Sequence, residues 1–419
     1  VITFPRYEDL VMANDLEKVG VGKYRATGND PYFEIRNPSD GLIQDISIEL
    51  KAENGETIQI FWTYDKNDSF SVALQSTLKL RPGITDVYRF YLGLEKEIKR
   101  LRLDPTNASG IIEIKEIGIN YLSKEEKAKL TTVPNYDNLK KALKGKNGYL
   151  FLINDSNHEI KQHFDLSYPS SFNAYFFKKN LDYNKRVCND NGIEYHFFIV
   201  PDKSLVCKNF LPFEIKAIKR NYDLISKEVP DFIENLDYTC YYKNDTHINY
   251  YGGKELVYYY LKCINNNFTR EEFEKLINEQ LKFNNIFWGG DLVHEDNWSY
   301  SDKEKEDYLN EKETMFINKN IVNLSENLPE KFKFDGTRAT GYYRNDQSFT
   351  NLKVLIFRDS AVDRLKDSFS VYFKEMLLYW DHWDHWLFNK ELIEWYKPDI
   401  ILEIRTERFL EKNMKYQIE

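Results

Sequence analysis

Long apolar runs are missing from this 419-residue chain. Nothing approaches the roughly 18 consecutive apolar residues of a membrane-crossing helix, so no direct membrane span is expected. Cysteine is scarce. Cys188, Cys207, Cys240 and Cys263 form no C-x-x-C pair, which argues against a zinc site. Spacing cannot assign disulfides among them, and four buried thiols are the simpler expectation. A dense basic stripe is lacking as well. The net charge is −9, which speaks against nucleic acid and against an anionic membrane surface as partners. Internal repeats and low-complexity tracts are absent. The sequence starts at Val1 with no signal peptide and reads as a trimmed or mature form.

What the chain has in plenty is aromatic residues, with 30 Tyr and 28 Phe. Such a surplus suits β-rich cores and sugar-contacting surfaces alike. The length predicts two or three domains. Residues 1–122 read as all-β, with strands at Tyr32–Arg36, Gln44–Leu50, Thr57–Tyr64, Val87–Tyr91, Ile98–Leu103 and Ile111–Ile119. Turn signals such as Asn54-Gly55 and Pro82-Gly83 separate them, the spacing of a β-sandwich or jelly roll. Phe61, Trp62 and Tyr64 on one strand read as core, with a carbohydrate-binding face as the functional alternative. Residues 123–134 read as a polar linker.

From about 135 to 419 strands alternate with helices, which predicts an α/β domain with a largely parallel sheet. Strands are expected at Glu194–Val200, Val354–Phe357 and Asp399–Ile404. Helices are expected at Phe213–Val229, Gly253–Cys263, Arg270–Phe283 and Ala361–Phe373. The stretch near 285–350 is polar and irregular and reads as an inserted loop or lid.

Two short segments carry chemistry. In Val354-Leu-Ile-Phe-Arg-Asp-Ser360 an apolar strand runs into a turn bearing a serine, where a helix N-terminus offers N–H groups to an oxyanion. Ser360 alone reads first as a helix cap. In Asp245-Thr-His247, residues i and i+2 of an extended backbone share a face, so Asp245 can orient the imidazole and leave its other nitrogen for a serine. A solvated turn is the plainer reading of that segment. Together the two make a Ser-His-Asp nucleophilic site.

Five segments in order resemble the alginate-type polysaccharide O-acetyltransferases, permuted relatives of the SGNH hydrolases. They are Gly145-Lys-Asn-Gly-Tyr-Leu-Phe151, Phe198-Ile-Val-Pro-Asp-Lys203, Tyr242-Lys-Asn-Asp-Thr-His247, Leu355-Ile-Phe-Arg-Asp-Ser360 and Lys397-Pro-Asp-Ile-Ile401. The resemblance covers roughly 145–410. It implies an SGNH-like fold and acetylation of a bacterial surface polysaccharide through an acyl-Ser360, with His247 as base and Asp245 as its orienter. It implies a membrane acyltransferase as the partner supplying acetyl, and a cell-envelope location, or a cytoplasmic one within a larger glycan-assembly polypeptide. A carbohydrate acetylesterase and an inactive glycan-binding protein are the alternatives. No metal or organic cofactor is called for.

The chain departs from the family pattern at Ile248 (commonly Trp), Arg358 (Gly) and Ala361 (often Phe). The first and last bear on substrate fit. Arg358 is expected as a structural cation or a contact to a glycan carboxylate, and Asp359 as a brace for the turn. Lys203, at a strand's carboxyl end, either binds an acidic sugar or stabilises its loop. Oxyanion donors are expected from the Ser360 N–H and one side chain, with Arg364 and Tyr342 as candidates. Tyr379-Trp-Asp-His-Trp-Asp-His-Trp386 sets His382 and His385 three apart beside Asp381 and Asp384, and reads as an aromatic loop or short helix before a metal site. Weak similarity to β-sandwich modules of glycan-assembly enzymes rests on Leu101-Arg-Leu-Asp-Pro105.

Overall fold

The computed structural model describes residues 2–4, 9–36, 41–94, 96–309, 311–334, 336–380 and 389–411. The chain divides into two compact units, Val1–Thr132 with Asp165–Ser171, and Val133–Phe164 with Phe172–Glu419.

In the first unit strict alternation drives pairing. Thr57–Thr63 turns Ile58, Ile60 and Trp62 inward and Gln59 and Phe61 outward. It lies in an antiparallel sheet ordered Leu10–Asn14, Tyr32–Ile35, Arg100–Asp104, Thr57–Thr63, Gln75–Lys79. A second antiparallel sheet runs Leu16–Gly20, Lys23–Ala26, Gly110–Leu122, Leu42–Ala52, Asp86–Tyr91, with Ile2–Phe4 also on Gly110–Leu122. Residues of both sheets, including Phe33, Ile48, Ile60, Leu101 and Ile119, form one buried cluster. Residues 124–130 are a helix rather than a linker. Ser123 and Glu126 close a capping box, and buried Lys127 donates to the Gly93 and Leu94 carbonyls at 2.8 and 3.0 Å.

The second unit is built on a six-stranded sheet ordered Glu194–Val200, Ile400–Thr406, Lys353–Arg358, Glu375–Tyr379, Gly341–Arg344, Val322–Asn323. The first four strands are parallel and the last two antiparallel. Lys353–Arg358 is apolar almost throughout because both of its faces are covered. Val354 and Ile356 join the cluster under helices Tyr250–Ile264 and Arg270–Gln280. Leu355 and Phe357 join the opposite cluster, with helices Ala174–Asp190 and Lys390–Tyr396.

Several expectations fail here for identifiable reasons. Phe213–Val229 forms no α-helix, only a 3-10 turn at Asn221–Leu224. Arg220 is pinned by a two-pronged contact to Glu407 at 2.6 and 2.8 Å, and tertiary anchoring overrides the helical period. Helix Arg270–Gln280 stops early because Leu281–Trp288 pairs with Glu311–Asn318 as a hairpin. That hairpin and the edge strands give the 285–350 stretch regular structure. Ala361–Phe373 is a 3-10 turn, Ser360–Arg364, followed by a short helix, Lys366–Ser370. The thiols are all free, and Cys263 is exposed rather than buried.

Candidate active site

The strand Lys353–Arg358 ends at a turn that Asp359 holds. One carboxylate oxygen accepts the Ala361 N–H at 2.9 Å and the other the Thr406 N–H at 2.6 Å, lashing the turn to the neighbouring strand. Arg358 is buried, donates to Asp363 at 2.8 Å and faces the Trp380 ring at 5.1 Å. It works as an internal cation. Ser360 then opens the 3-10 turn, so its N–H has no acceptor within that turn.

The Asp-Thr-His segment is a bend closed by a Tyr241–Ile248 bridge, not the extended strand its i, i+2 spacing predicts. The residues meet nonetheless, because the Asp245 carboxylate caps its own turn. It accepts the His247 N–H at 2.9 Å and the ring Nδ1 at 2.6 Å. The second ring nitrogen, Nε2, lies 2.8 Å from Ser360 Oγ. With the proton on Nδ1 facing Asp245, Nε2 is left as an acceptor for the serine hydroxyl.

Two close approaches make this convergence reachable. Helix Tyr250–Ile264 starts just after His247, and a Cβ on its Gly253 would stand 2.3 Å from the Arg364 carbonyl oxygen in the serine turn. A Cβ on Gly290, which has φ +60°, would stand 2.2 Å from the Asn244 carbonyl oxygen. Lys203 supports the same loop from below. Its buried ammonium donates to the carbonyls of Leu150, Lys243 and Asp245 at 2.5, 2.9 and 2.9 Å, which gives it a loop-holding role.

Electrostatics follow the geometry. Burial alone pulls the His247 imidazole down, but the hydrogen bond and charge of Asp245, with the charge of Asp291, outweigh it and raise it above the ordinary histidine value. Burial pushes Asp245 up, yet His247 and the N–H of Asp291 hold it well below the usual carboxylate range. A cleft of about 680 Å³ opens beside the pair, with Asp291, His294, Lys305 and Arg364 on its walls. Arg364 rests over Tyr242 and Tyr250, and its Nε donates to the Tyr242 hydroxyl at 3.2 Å. Tyr342 is not at the cleft. Its hydroxyl donates to Glu375 at 2.8 Å and its ring packs on Tyr396. Ile248 and Ala361, the two departures expected to bear on substrate fit, are core residues.

Asp291 was invisible in the sequence pattern. It lies in the insertion, and its N–H donates to Asp245 at 2.8 Å. Only the Gly289-Gly290 pair before it hints at a tight approach. Asp245, His247 and Asp291 bring ligand-type atoms within 4.8 Å of one another. Those oxygens already accept N–H and O–H donors of the turn, which suits a hydrogen-bonded relay better than a cation. The His382/His385 segment lies outside the described residues.

No protein-family model matches the sequence, and no curated protein does. Solved structures show distant similarity over about two thirds of the chain. PatB1 of Bacillus cereus is 14% identical, with a TM-score of 0.43 over 66% of this chain and 100% of that one. A DHHW family protein from Eubacterium siraeum is 12% identical, with a TM-score of 0.42 over 66% and 100%. The O-acetyltransferase domain of Pseudomonas putida AlgJ is 14% identical, with a TM-score of 0.39 over 66% and 94%. At such distances the chemistry rests on this chain's own atoms.

Proposed function

We propose that this protein is an SGNH-like acyltransferase that works through an ester on Ser360. The observation that carries this reading is the unbroken relay Asp245–His247–Ser360 at 2.6 and 2.8 Å beside an open cleft. Ser360 Oγ attacks the acyl carbonyl while His247 Nε2 takes its proton. The carbonyl π electrons move onto oxygen, where the Ser360 N–H stabilises the charge. Collapse restores the carbonyl and breaks the bond to the leaving alcohol, which takes the proton from His247. An acceptor hydroxyl, deprotonated by His247, then attacks the acyl-serine; the ester bond breaks and Ser360 Oγ leaves with the proton returned by His247.

The motif resemblance makes the acyl group acetyl and the acceptor a hydroxyl of a bacterial surface polysaccharide, with a membrane acyltransferase as donor and an extracytoplasmic site of action. Among the described residues no helix is long and apolar enough to cross a membrane. The first unit joins as a glycan-holding module. Tyr32 and Phe61 flank Arg102 on its outer face, at 3.7 and 4.9 Å from the guanidinium carbon.

Labelling with a serine-reactive fluorophosphonate and peptide mapping tests the nucleophile. Label on the Ser360 peptide, absent from Ser360→Ala, is expected. Incubation with an acetyl-ester donor and an oligosaccharide, followed by mass spectrometry, tests the acceptor. Acetylated sugar is the expected product, and free acetate alone means an esterase. Glycan binding without labelling or turnover means an inactive binding protein.

A further inference from the structure

We propose that Asp291 is a positioning residue for this site: it fixes the Asp245-Thr246-His247 bend, and its charge governs how readily His247 takes the serine proton. The inference rests on the acyl-serine reading above. Three contacts carry it. Asp291 Oδ1 accepts the Thr246 N–H at 2.8 Å, and Oδ2 accepts the Thr246 hydroxyl at 2.5 Å. In return the Asp291 N–H donates to Asp245 Oδ2 at 2.8 Å, so each carboxylate holds the other's loop. Oδ2 of Asp291 also stands 3.7 Å from His247 Nδ1, a second negative charge on the side of the ring that becomes cationic.

The loop is built for this approach. Gly290 takes a left-handed backbone and packs where any side chain would strike Asn244. The Leu292 N–H reaches the Asn244 carbonyl at 3.3 Å, and Asn297 Nδ2 donates to the Asp291 carbonyl at 2.8 Å. Burial and the neighbouring Asp245 raise the Asp291 carboxyl, as two acids sharing one histidine require. The other charged or titratable groups around His247 are Arg364, which opposes its protonation, Lys203 below the bend, and His294, Glu295 and Lys305 along the cleft. Glu313 is pushed up to about 7, by burial first and also by the charge of Asp245.

The test is the pH dependence of fluorophosphonate labelling at Ser360, measured on the whole protein. The wild type rises along a limb set by neutral His247. Asp291→Asn keeps the shape and both contacts to Thr246, whose hydroxyl turns to accept, but loses the charge. Its limb moves to lower pH by roughly half to one unit, with a similar plateau. Asp291→Ala loosens the bend and lowers the plateau about 10- to 100-fold. Thr246→Val lowers the plateau without moving the limb. Repeating the pair in a Glu313→Gln background removes the competing titration. An Asp291→Asn limb that overlays the wild type overturns the role, and that variant decides the matter if Asp291→Ala does not fold. Absence of any Ser360 label in the wild type instead overturns the acyl-serine reading, and this role with it.

Discussion

His247 and His163 each hold a carboxylate through one ring nitrogen, at 2.6 Å to Asp245 and 2.9 Å to Asp202. Both aspartates are buried. The difference lies in the second nitrogen. His247 keeps about a fifth of its side chain exposed and points Nε2 at a serine. His163 is fully buried, and its Nδ1 has no partner among the described residues. Asp202 is instead shared with Arg408 at 2.5 Å, and Arg408 reaches on to Glu159 at 3.4 Å. The same two residue types thus build a relay in one place and a sealed ionic knot in the other. A His–Asp pair is a chemical site only when the imidazole's far side meets a hydroxyl and a cleft.

The sharpest way to break this comparison is to remove one member from each region. Ser360→Ala is expected to lower turnover by about three orders of magnitude or more with the denaturation midpoint unchanged. Asp202→Ala leaves Arg408 and His163 without their common carboxylate and is expected to cost about 3–5 kcal/mol in urea unfolding. If Asp202→Ala unfolds at the wild-type midpoint, the knot is not structural. Lys203 sharpens the contrast because it follows Asp202 in sequence yet holds the Asp245 carbonyl. Lys203→Met frees three carbonyls and is expected to lose about 2–3 kcal/mol and also to slow Ser360 labelling. Stability loss with a full labelling rate would cut the link between the two regions.

Sequence alone points to the proposed relay because its parts are local. Asp245 and His247 are two apart, and Ser360 sits just beyond where the apolar run 354–357 gives way to a polar turn. Most longer alternating strands of the first unit are legible for the same reason, whereas Lys23–Ala26 alternates over only four residues and Leu10–Asn14, Leu16–Gly20 and Gln75–Lys79 have no buried position, and none of these four was expected. Helix Ala174–Asp190 hid because two of its inward positions are asparagines. Asn184 spends its amide on Glu403 at 2.9 Å, so the buried stripe is not an apolar one. Asp291 and the loop-holding use of Lys203 depend on contacts over 40 residues or more, which no local period encodes.

The smallest predicted effect sets the two histidines against each other on one pH axis. Both are raised above the ordinary value near 6.5, in each case by carboxylates that outweigh burial. On the proposed reading activity needs neutral His247, so turnover is expected to climb as pH rises through a midpoint above about 6.5. Stability runs the other way. A histidine raised in the fold contributes fully below its unfolded value and loses that contribution as pH rises through the folded one. Glu159 acts in the same direction, since burial and then Asp202 push it up to about 7, and ionising it inside the fold is unfavourable. Asp202, lowered by Arg408 and His163 against its burial, takes stability away only when pH falls through its own depressed value. Each unit of displacement is worth about 1.4 kcal/mol. Calorimetric melting at pH 6 and pH 8 is therefore expected to show a lower midpoint at pH 8, where turnover is higher. The gap should narrow in His163→Gln with the activity limb in place. A midpoint that holds or rises from pH 6 to pH 8 would mean that the sealed pair is neutral, and that the two regions differ in access alone rather than in charge.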